Sequence, residues 1–188
     1  MSFETAIMSE IRTVPNFPKE GINFIDITSF LAKGLLPVFT KEFVGVIESH
    51  FQPYEGEIVN VAIVAPESRG FIFGTPVADR IQSPFIPARK KGKLPCETVS
   101  CDYTLEYGTD TLHMHKEDLQ YLKDNNFKVV IIDDLLATGG TLLALTRELN
   151  NFGIDVPLVI SLFDLKEIET EEKKELRGRT DLISLIEL

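Results

Sequence analysis

The stretch VVIIDDLLATGGT, Val129 to Thr141, decides the fold of this chain of 188 residues. It opens with apolar, mostly β-branched residues, which predict a strand buried on both faces in a parallel sheet. Adjacent carboxylates, Asp133 and Asp134, come where that strand is expected to end. A loop of small residues follows, and LLALTREL after it has the apolar spacing of a helix. Such a loop predicts an anion site, because its backbone amides point at the ligand and the helix dipole favours negative charge.

Asp133 and Asp134 are expected to bind a different group from the one that the loop binds. Carboxylates at the mouth of a phosphate loop would repel the phosphate unless they hold sugar hydroxyls, a metal ion or both. No Lys follows the glycines, which excludes a Walker A loop. A ribose 5-phosphate fits, with its phosphate on the loop and its 2- and 3-hydroxyls on Asp133 and Asp134. The alternative is a buried strand and turn in which Asp and Thr only cap the helix.

Two further segments carry cations near predicted strand ends. In Ile58 to Ile81 a buried strand is followed by APESRG and a helix, which places Arg69 where its guanidinium can bind a second anion. In FIPARKKGKLP, Phe85 to Pro95, basic residues follow a short strand. Sheets of this kind bind ligands at that edge. The alternatives are an Arg that caps a turn and a solvated basic surface.

These motifs together resemble those of the type I phosphoribosyltransferases, which use 5-phosphoribosyl-1-pyrophosphate (PRPP). The wording DDLLATGGT is especially similar to the adenine phosphoribosyltransferases, and the resemblance runs from about residue 15 to 188. It implies Mg²⁺-dependent transfer of a 5-phosphoribosyl group from PRPP to adenine in purine salvage, giving AMP and pyrophosphate. A phosphoribosyltransferase for xanthine, guanine or hypoxanthine remains open, as does a PRPP- or purine-sensing regulator. The resemblance also implies a homodimer.

The resemblance assigns roles residue by residue. Residues expected to bind PRPP and its phosphates are Arg69, Arg89, Lys90, Lys93, Asp133, Asp134, Ala137, Thr138, Gly139, Gly140 and Thr141. Residues expected to bind the base, largely through main-chain groups, are Asn23, Phe24, Ile25 and Leu135. Glu106 becomes the catalytic acid and base, and Tyr107 helps to close a flap. Mg²⁺ is expected to be held mainly through the substrate, with no protein ligand assigned. A cis peptide bond between Glu67 and Ser68 is also implied.

Composition limits the remaining possibilities. The net charge of −10 argues against nucleic-acid binding through a basic surface. No apolar run approaches the length of a membrane span. Two cysteines without a secretory signal indicate reduced thiols, and therefore a cytoplasmic protein. The length predicts a single domain over residues 1–188.

The order of elements predicts an α/β fold, with a doubly wound, mainly parallel sheet flanked by helices. A helix is expected over residues 2–14. After it we expect a small base-binding hood, for which a hairpin packing Phe24 and Ile27 into the core is the alternative. The polar stretch Glu97 to His115 predicts a long mobile flap rather than packed structure. LKEIETEEKKELRG near the end predicts a charged surface helix.

Overall fold

The computed structural model describes residues 7–17, 19–21, 23–52, 59–105 and 108–188. Their strands are β1 (Arg12–Pro15), β2 (Asn23–Asp26), β3 (Val61–Pro66), β4 (Phe85–Lys90), β5 (Thr98–Leu105), β6 (Gly108–His115), β7 (Lys128–Leu136), β8 (Leu158–Asp164) and β9 (Asp181–Glu187). Their helices are α1 (Thr28–Leu31), α2 (Leu36–His50), α3 (Arg69–Ile81), α4 (Lys116–Asp124), α5 (Gly140–Phe152) and α6 (Glu171–Arg179).

The main sheet has seven strands in the order β5-β6-β4-β3-β7-β8-β9. The neighbouring strands β4, β3, β7, β8 and β9 run parallel to one another. The β5–β6 hairpin is antiparallel, and its strand β6 pairs with β4 in the antiparallel sense. The expected mainly parallel α/β fold is therefore confirmed. Because the carboxyl ends of parallel strands meet at one edge, the chain segments after β3, β4, β7 and β8 lie together there.

The central strand β7 divides the core. Val129 and Ile131 pack in the apolar cluster that includes α4 and α5, while Val130 and Ile132 pack in the cluster that includes α2 and α3. This alternation is what a strand with apolar side chains on both faces produces. The second cluster is rich in phenylalanine, with Phe30 at its centre. Its ring centroid is 4.7 Å from that of Phe39, 6.4 Å from that of Phe73 and 6.3 Å from that of Phe163.

The N-terminal prediction was wrong in part. Residues 1–6 lie outside the described residues, but Arg12–Pro15 is a strand rather than the end of a helix. It pairs with β2 in a separate antiparallel sheet, and Arg12 forms an ion pair with Asp26 across it. Cross-strand pairing therefore overrides the helical spacing of the apolar residues. The hood contains the hairpin that was the alternative prediction, and Ile27 after it is buried.

The stretch expected as an unpacked flap is the β5–β6 hairpin, paired in register from Thr98↔His115 to Leu105↔Gly108. Cys101 and Tyr103 of β5 and Leu112 and Met114 of β6 are buried against the core. Alternate residues of this polar segment thus face inward with the period of a strand. That alternation was the signal that the sequence-based prediction missed.

Candidate active site

The loop after β7 has the expected form. Helix α5 starts at Gly140, and Gly139 before it has a φ of +85°, in the left-handed region that disfavours other residues. The first amides of a helix have no intrahelical acceptors, so they remain available to a ligand. The structure brings Ala137, Thr138, Gly139, Gly140 and Thr141 together as one turn at the carboxyl edge of the sheet.

The acidic pair lies inside β7 rather than after it, because the strand continues to Leu136. Asp133 is in register with Ser161 of β8. The regular alternation breaks at this pair, since Ile132 and Leu135 both pack in the phenylalanine-rich cluster. Leu135, expected at the base, is therefore half-buried among apolar side chains.

The start of α3 lies against both carboxylates. Arg69 Nε is 3.0 Å from Asp134 Oδ2. A Cβ on Gly70 would lie 3.1 Å from Asp133 Oδ1 and 2.8 Å from Pro66 Cδ, so only glycine fits there without a shift. The peptide bond between Glu67 and Ser68 is cis, as the resemblance implied. The predicted anion-binding Arg69 and the predicted sugar-binding carboxylates thus form one cluster.

Burial governs the protonation of this pair. Asp134 is 2% exposed. Burial, together with the neighbouring charge of Asp134, raises the pKa of Asp133 well above its usual range. Burial also raises the pKa of Asp134, although the Arg69 guanidinium opposes that shift. Both carboxyl groups therefore hold protons more tightly than exposed aspartates do, and ligand groups that donate hydrogen bonds to them would favour the charged form.

The basic segment at the end of β4 is organised by a carboxylate without a predicted role. Glu67 Oε2 accepts hydrogen bonds from Arg89 Nε at 3.1 Å and from the backbone amide of Lys90 at 2.9 Å. These bonds, that of Arg89 first, lower the pKa of Glu67. The side chain of Lys90 lies 3.6 Å from Asp110 Oδ2, and Lys93 is exposed on the turn that follows. Glu67 could have been suspected because it stands in the same PESRG loop as Arg69.

The hood approaches the same cluster. The guanidinium carbon of Arg69 is 6.0 Å from the centroid of the Phe24 ring, which also packs edge-on against Phe17 at 5.2 Å. Asn23 begins β2, and Ile25 is half-buried beside the apolar core. The half-buried ring of Phe24 therefore lies close to the arginine that pairs with Asp134.

The predicted catalytic Glu106 and the predicted flap residue Tyr107 lie outside the described residues. The strands on either side of them are described. Tyr103 Oη of β5 donates a hydrogen bond to Asp110 Oδ2 of β6 at 3.1 Å, and the same carboxylate faces Lys90. The Tyr103–Asp110 pair of the β5–β6 hairpin is thereby connected to the basic segment of the site.

Within the described part of the chain, no group of three or more His, Cys, Asp and Glu side chains is arranged to hold a metal ion. Nor does any helix within these ranges have the length and apolar character needed to cross a membrane.

Comparison with known proteins agrees with this geometry. Residues 40–186 match the model of the phosphoribosyl transferase domain. The adenine phosphoribosyltransferase of Lachnoclostridium phytofermentans is 44% identical over 94% of this chain and 93% of its own. The crystal structure of adenine phosphoribosyltransferase from Thermoanaerobacter pseudethanolicus has a TM-score of 0.80 and 40% identity, covering 98% of this chain and 99% of its own.

A third structure, APRTase from Giardia lamblia complexed with 9-deazaadenine, has a TM-score of 0.80 and 28% identity, and covers 100% of this chain and 99% of its own. The family model spans most of the chain, and the sequence identity to the Lachnoclostridium relative extends over nearly all of both proteins. The chain therefore belongs to the adenine phosphoribosyltransferase family.

Proposed function

We propose that this protein transfers the 5-phosphoribosyl group of PRPP to N9 of adenine, releasing AMP and pyrophosphate, and so serves purine salvage. The proposal rests chiefly on one observation. Asp133, Asp134 and the loop from Ala137 to Thr141 lie at one sheet edge, with Arg69 3.0 Å from Asp134. Hydroxyl-binding carboxylates, an anion loop and a second anion-binding cation are the groups that PRPP requires.

The chemistry accounts for the residue types. As the bond between C1 and pyrophosphate breaks, the ribose gains positive charge and the departing pyrophosphate gains negative charge. Arg69, Arg89, Lys90 and Lys93 are proposed to stabilise the departing charge. Asp133 and Asp134 are proposed to bind the ribose hydroxyls, and their negative potential favours the positive ring. The loop is proposed to hold the 5-phosphate, so that the sugar is fixed at both ends.

The donor set near the acidic pair is compatible with Mg²⁺. Magnesium prefers oxygen ligands and commonly binds through substrate phosphates with only one or two carboxylates. We propose that the ion is held mainly by the pyrophosphate and hydroxyl oxygens of PRPP, and we assign it no protein ligand. When bound, it neutralises charge on the pyrophosphate leaving group.

The base is proposed to lie against Phe24, read by main-chain groups near Asn23 and Ile25, with Leu135 as an apolar wall. Adenine accepts a hydrogen bond at N1 and donates from its 6-amino group, whereas hypoxanthine and guanine do the reverse. Glu106 is proposed to handle the proton at N7 as N9 bonds to C1, and Tyr107 to help exclude water. We further propose a single domain that acts as a cytoplasmic homodimer.

The test is a base panel. Purified protein is mixed with PRPP and Mg²⁺ and with adenine, hypoxanthine, guanine or xanthine, and the nucleotide and pyrophosphate are quantified. Two mismatched hydrogen bonds at about 1–3 kcal/mol each predict at least about a thirtyfold higher kcat/KM for adenine. Comparable values for hypoxanthine or guanine would overturn the adenine assignment. Absence of any nucleotide product would overturn the transferase itself.

The role of Glu106 has its own test. Glu106→Gln is expected to lower kcat by about 10²–10⁴-fold, with little change in PRPP affinity, because the amide cannot exchange the proton. Glu97→Gln, at the other end of the hairpin, is the control and should retain activity. Near wild-type turnover in Glu106→Gln would leave that residue without an acid or base role.

A further inference from the structure

The back of the phosphate loop is covered by the start of helix α6. A Cβ on Gly139 would lie 3.2 Å from Lys173 Cγ and 3.3 Å from the Lys173 amide nitrogen. Thr170, which caps α6, donates a hydrogen bond from Oγ1 to the carbonyl oxygen of Thr138 at 2.6 Å. Thr170 Oγ1 also accepts a hydrogen bond from the Lys173 amide at 3.2 Å. One side chain therefore joins a helix start to the loop.

The bond to Thr138 fixes a whole peptide unit. The carbonyl of Thr138 and the amide of Gly139 belong to the same planar peptide, and in a trans peptide they point in opposite directions. Since Thr170 holds the carbonyl towards α6, the Gly139 amide points away from α6, towards the open side of the loop. A hydrogen bond at the carbonyl also polarises the peptide and makes its N–H a better donor.

A buried ion pair fixes α6 itself. Lys173 is 0% exposed, and its Nζ lies 2.6 Å from Asp164 Oδ1 and 2.8 Å from the carbonyl oxygen of Leu165. Asp164 is the last residue of β8 and is in register with Leu136, the last residue of β7. The start of α6 is therefore tied to the strands that carry the loop, and Thr170 has little freedom to follow a moving carbonyl.

We propose that Thr170 is a positioning residue that aims the Gly139 amide at the 5-phosphate of PRPP, with Lys173 and Asp164 fixing its place. This inference rests on the proposed function, in which the loop binds that phosphate. Thr170 does not touch the ligand. It affects the orientation and donor strength of one peptide group. Removing its hydroxyl should therefore change the affinity for PRPP and leave the rate of the chemical step unchanged.

The test compares three variants with wild type. Thr170→Val removes the hydroxyl and keeps the shape, Thr170→Ser keeps the hydroxyl, and Thr146→Val is the matched control. Thr146 Oγ1 also donates to a carbonyl, that of Leu142 at 2.8 Å, but within α5 and outside the loop. PRPP binding in the presence of Mg²⁺ is measured by calorimetry. KM for PRPP, kcat and KM for adenine are measured at a temperature where each variant is fully folded.

We expect Thr170→Val to raise the PRPP dissociation constant and KM by about tenfold, the worth of one lost hydrogen bond. The kcat at saturation and the KM for adenine should stay within about twofold of wild type. Thr170→Ser should restore affinity, and Thr146→Val should leave it unchanged. A folded Thr170→Val with wild-type PRPP affinity would overturn the proposal, even if its melting temperature were lower, since a purely structural cap gives that result.

A second variant covers a failure of Thr170→Val to fold. The double change Lys173→Met with Asp164→Asn removes both members of the buried pair and leaves no unpaired charge, so it is expected to fold. It should raise KM for PRPP several-fold at unchanged kcat, and wild-type KM there would overturn the inference. A wild-type protein that neither binds PRPP nor forms AMP is the distinct result that would remove the proposed function instead.

Discussion

Ion pairs lie on both sides of the loop from Ala137 to Thr141, behind it at α6 and in front of it at α3 and β4, but we expect them to have different roles. Behind the loop, Lys173 and Asp164 form an ion pair that is closed to solvent. In front of it, Arg69 pairs with Asp134 and Lys90 pairs with Asp110, and both cations remain partly exposed. A buried pair resists separation, because each charge would be left without water or partner. A pair in which both partners are partly exposed, such as Lys90 with Asp110, is worth little, so a ligand anion can replace its carboxylate.

The buried pair behind the loop therefore stabilises the structure of the site, whereas the partly exposed cations in front are available to bind the ligand. Breaking a pair behind the loop should cost stability. Breaking the Lys90–Asp110 pair in front should cost little stability and alter PRPP affinity.

The largest expected effect is at the back. Lys173→Met leaves Asp164 buried without a counter-ion, and we expect the free energy of unfolding to fall by about 3–5 kcal/mol. The matched control is Lys174→Met in the next position of α6, where Lys174 Nζ lies 2.7 Å from an exposed Glu171. That change should have little effect on stability, because an ion pair in solvent contributes little. Urea unfolding measures both, and equal losses would contradict the comparison.

A smaller effect on stability, of opposite sign, is expected at Asp133. Its pKa is raised in the folded protein, so the folded state binds protons more tightly than the unfolded chain. The contribution of this group to stability is therefore present below about pH 3.8, the ordinary value, and is lost as pH rises through the raised pKa. The charged form of this carboxyl therefore destabilises the folded protein.

Asp133→Asn should therefore gain stability relative to wild type as pH rises above the ordinary pKa of about 3.8, by up to about 1.4 kcal/mol for each unit of the pKa shift. The gain should disappear as pH falls towards the ordinary pKa. Unfolding free energies measured from pH 4 to pH 8 check the sign. A variant that is less stable than wild type at pH 7 would mean that the carboxylate stabilises the fold.

The smallest effect is expected at Asp110. Asp110→Asn keeps an oxygen that accepts from the Thr111 amide and puts an amide nitrogen, which can donate to Tyr103 Oη, in the place of Oδ2, so it removes the charge that faces Lys90. Lys90 then loses the carboxylate that competes with the ligand, and PRPP should bind up to about fivefold more tightly, which corresponds to about 1 kcal/mol.

Asp102→Asn is the control for net charge, because Asp102 is exposed on the same hairpin and bonds only the Thr111 hydroxyl among the described contacts. Its PRPP affinity should stay close to that of wild type. Weaker binding in Asp110→Asn than in this control would show that Asp110 positions Lys90 for the ligand instead of competing for it.

The sequence alone predicted the parts of this site that depend on local patterns. The apolar run of β7, the glycine loop and the start of α5 follow from period, turn residues and helix signals. The end of β7 was misplaced because its pairing with β8 continues through the acidic pair. That pairing is a tertiary contact, and local patterns do not report it.

The back of the loop could not be read from the sequence for the same reason. The segment LKEIETEEKKELRG predicts a charged surface helix, and the observed α6 begins only at Glu171. One of its lysines is fully buried. The sequence does not distinguish Lys173 from Lys174, because only the fold places Asp164 next to Lys173. The hydrogen bond from Arg89 Nε to Glu67 is likewise a tertiary contact that local sequence patterns do not report.

The most direct test of the account is PRPP affinity in the double variant Asp133→Asn with Asp134→Asn, measured by calorimetry with Mg²⁺. Two lost charge-assisted hydrogen bonds to ribose hydroxyls, at about 1.5–3 kcal/mol each, predict binding weaker by at least a hundredfold. A control with Asp79→Asn and Asp102→Asn, both exposed, matches the charge change and should bind PRPP as wild type does. Unchanged affinity in the first variant would contradict the assignment of the β7 carboxylates to the ribose.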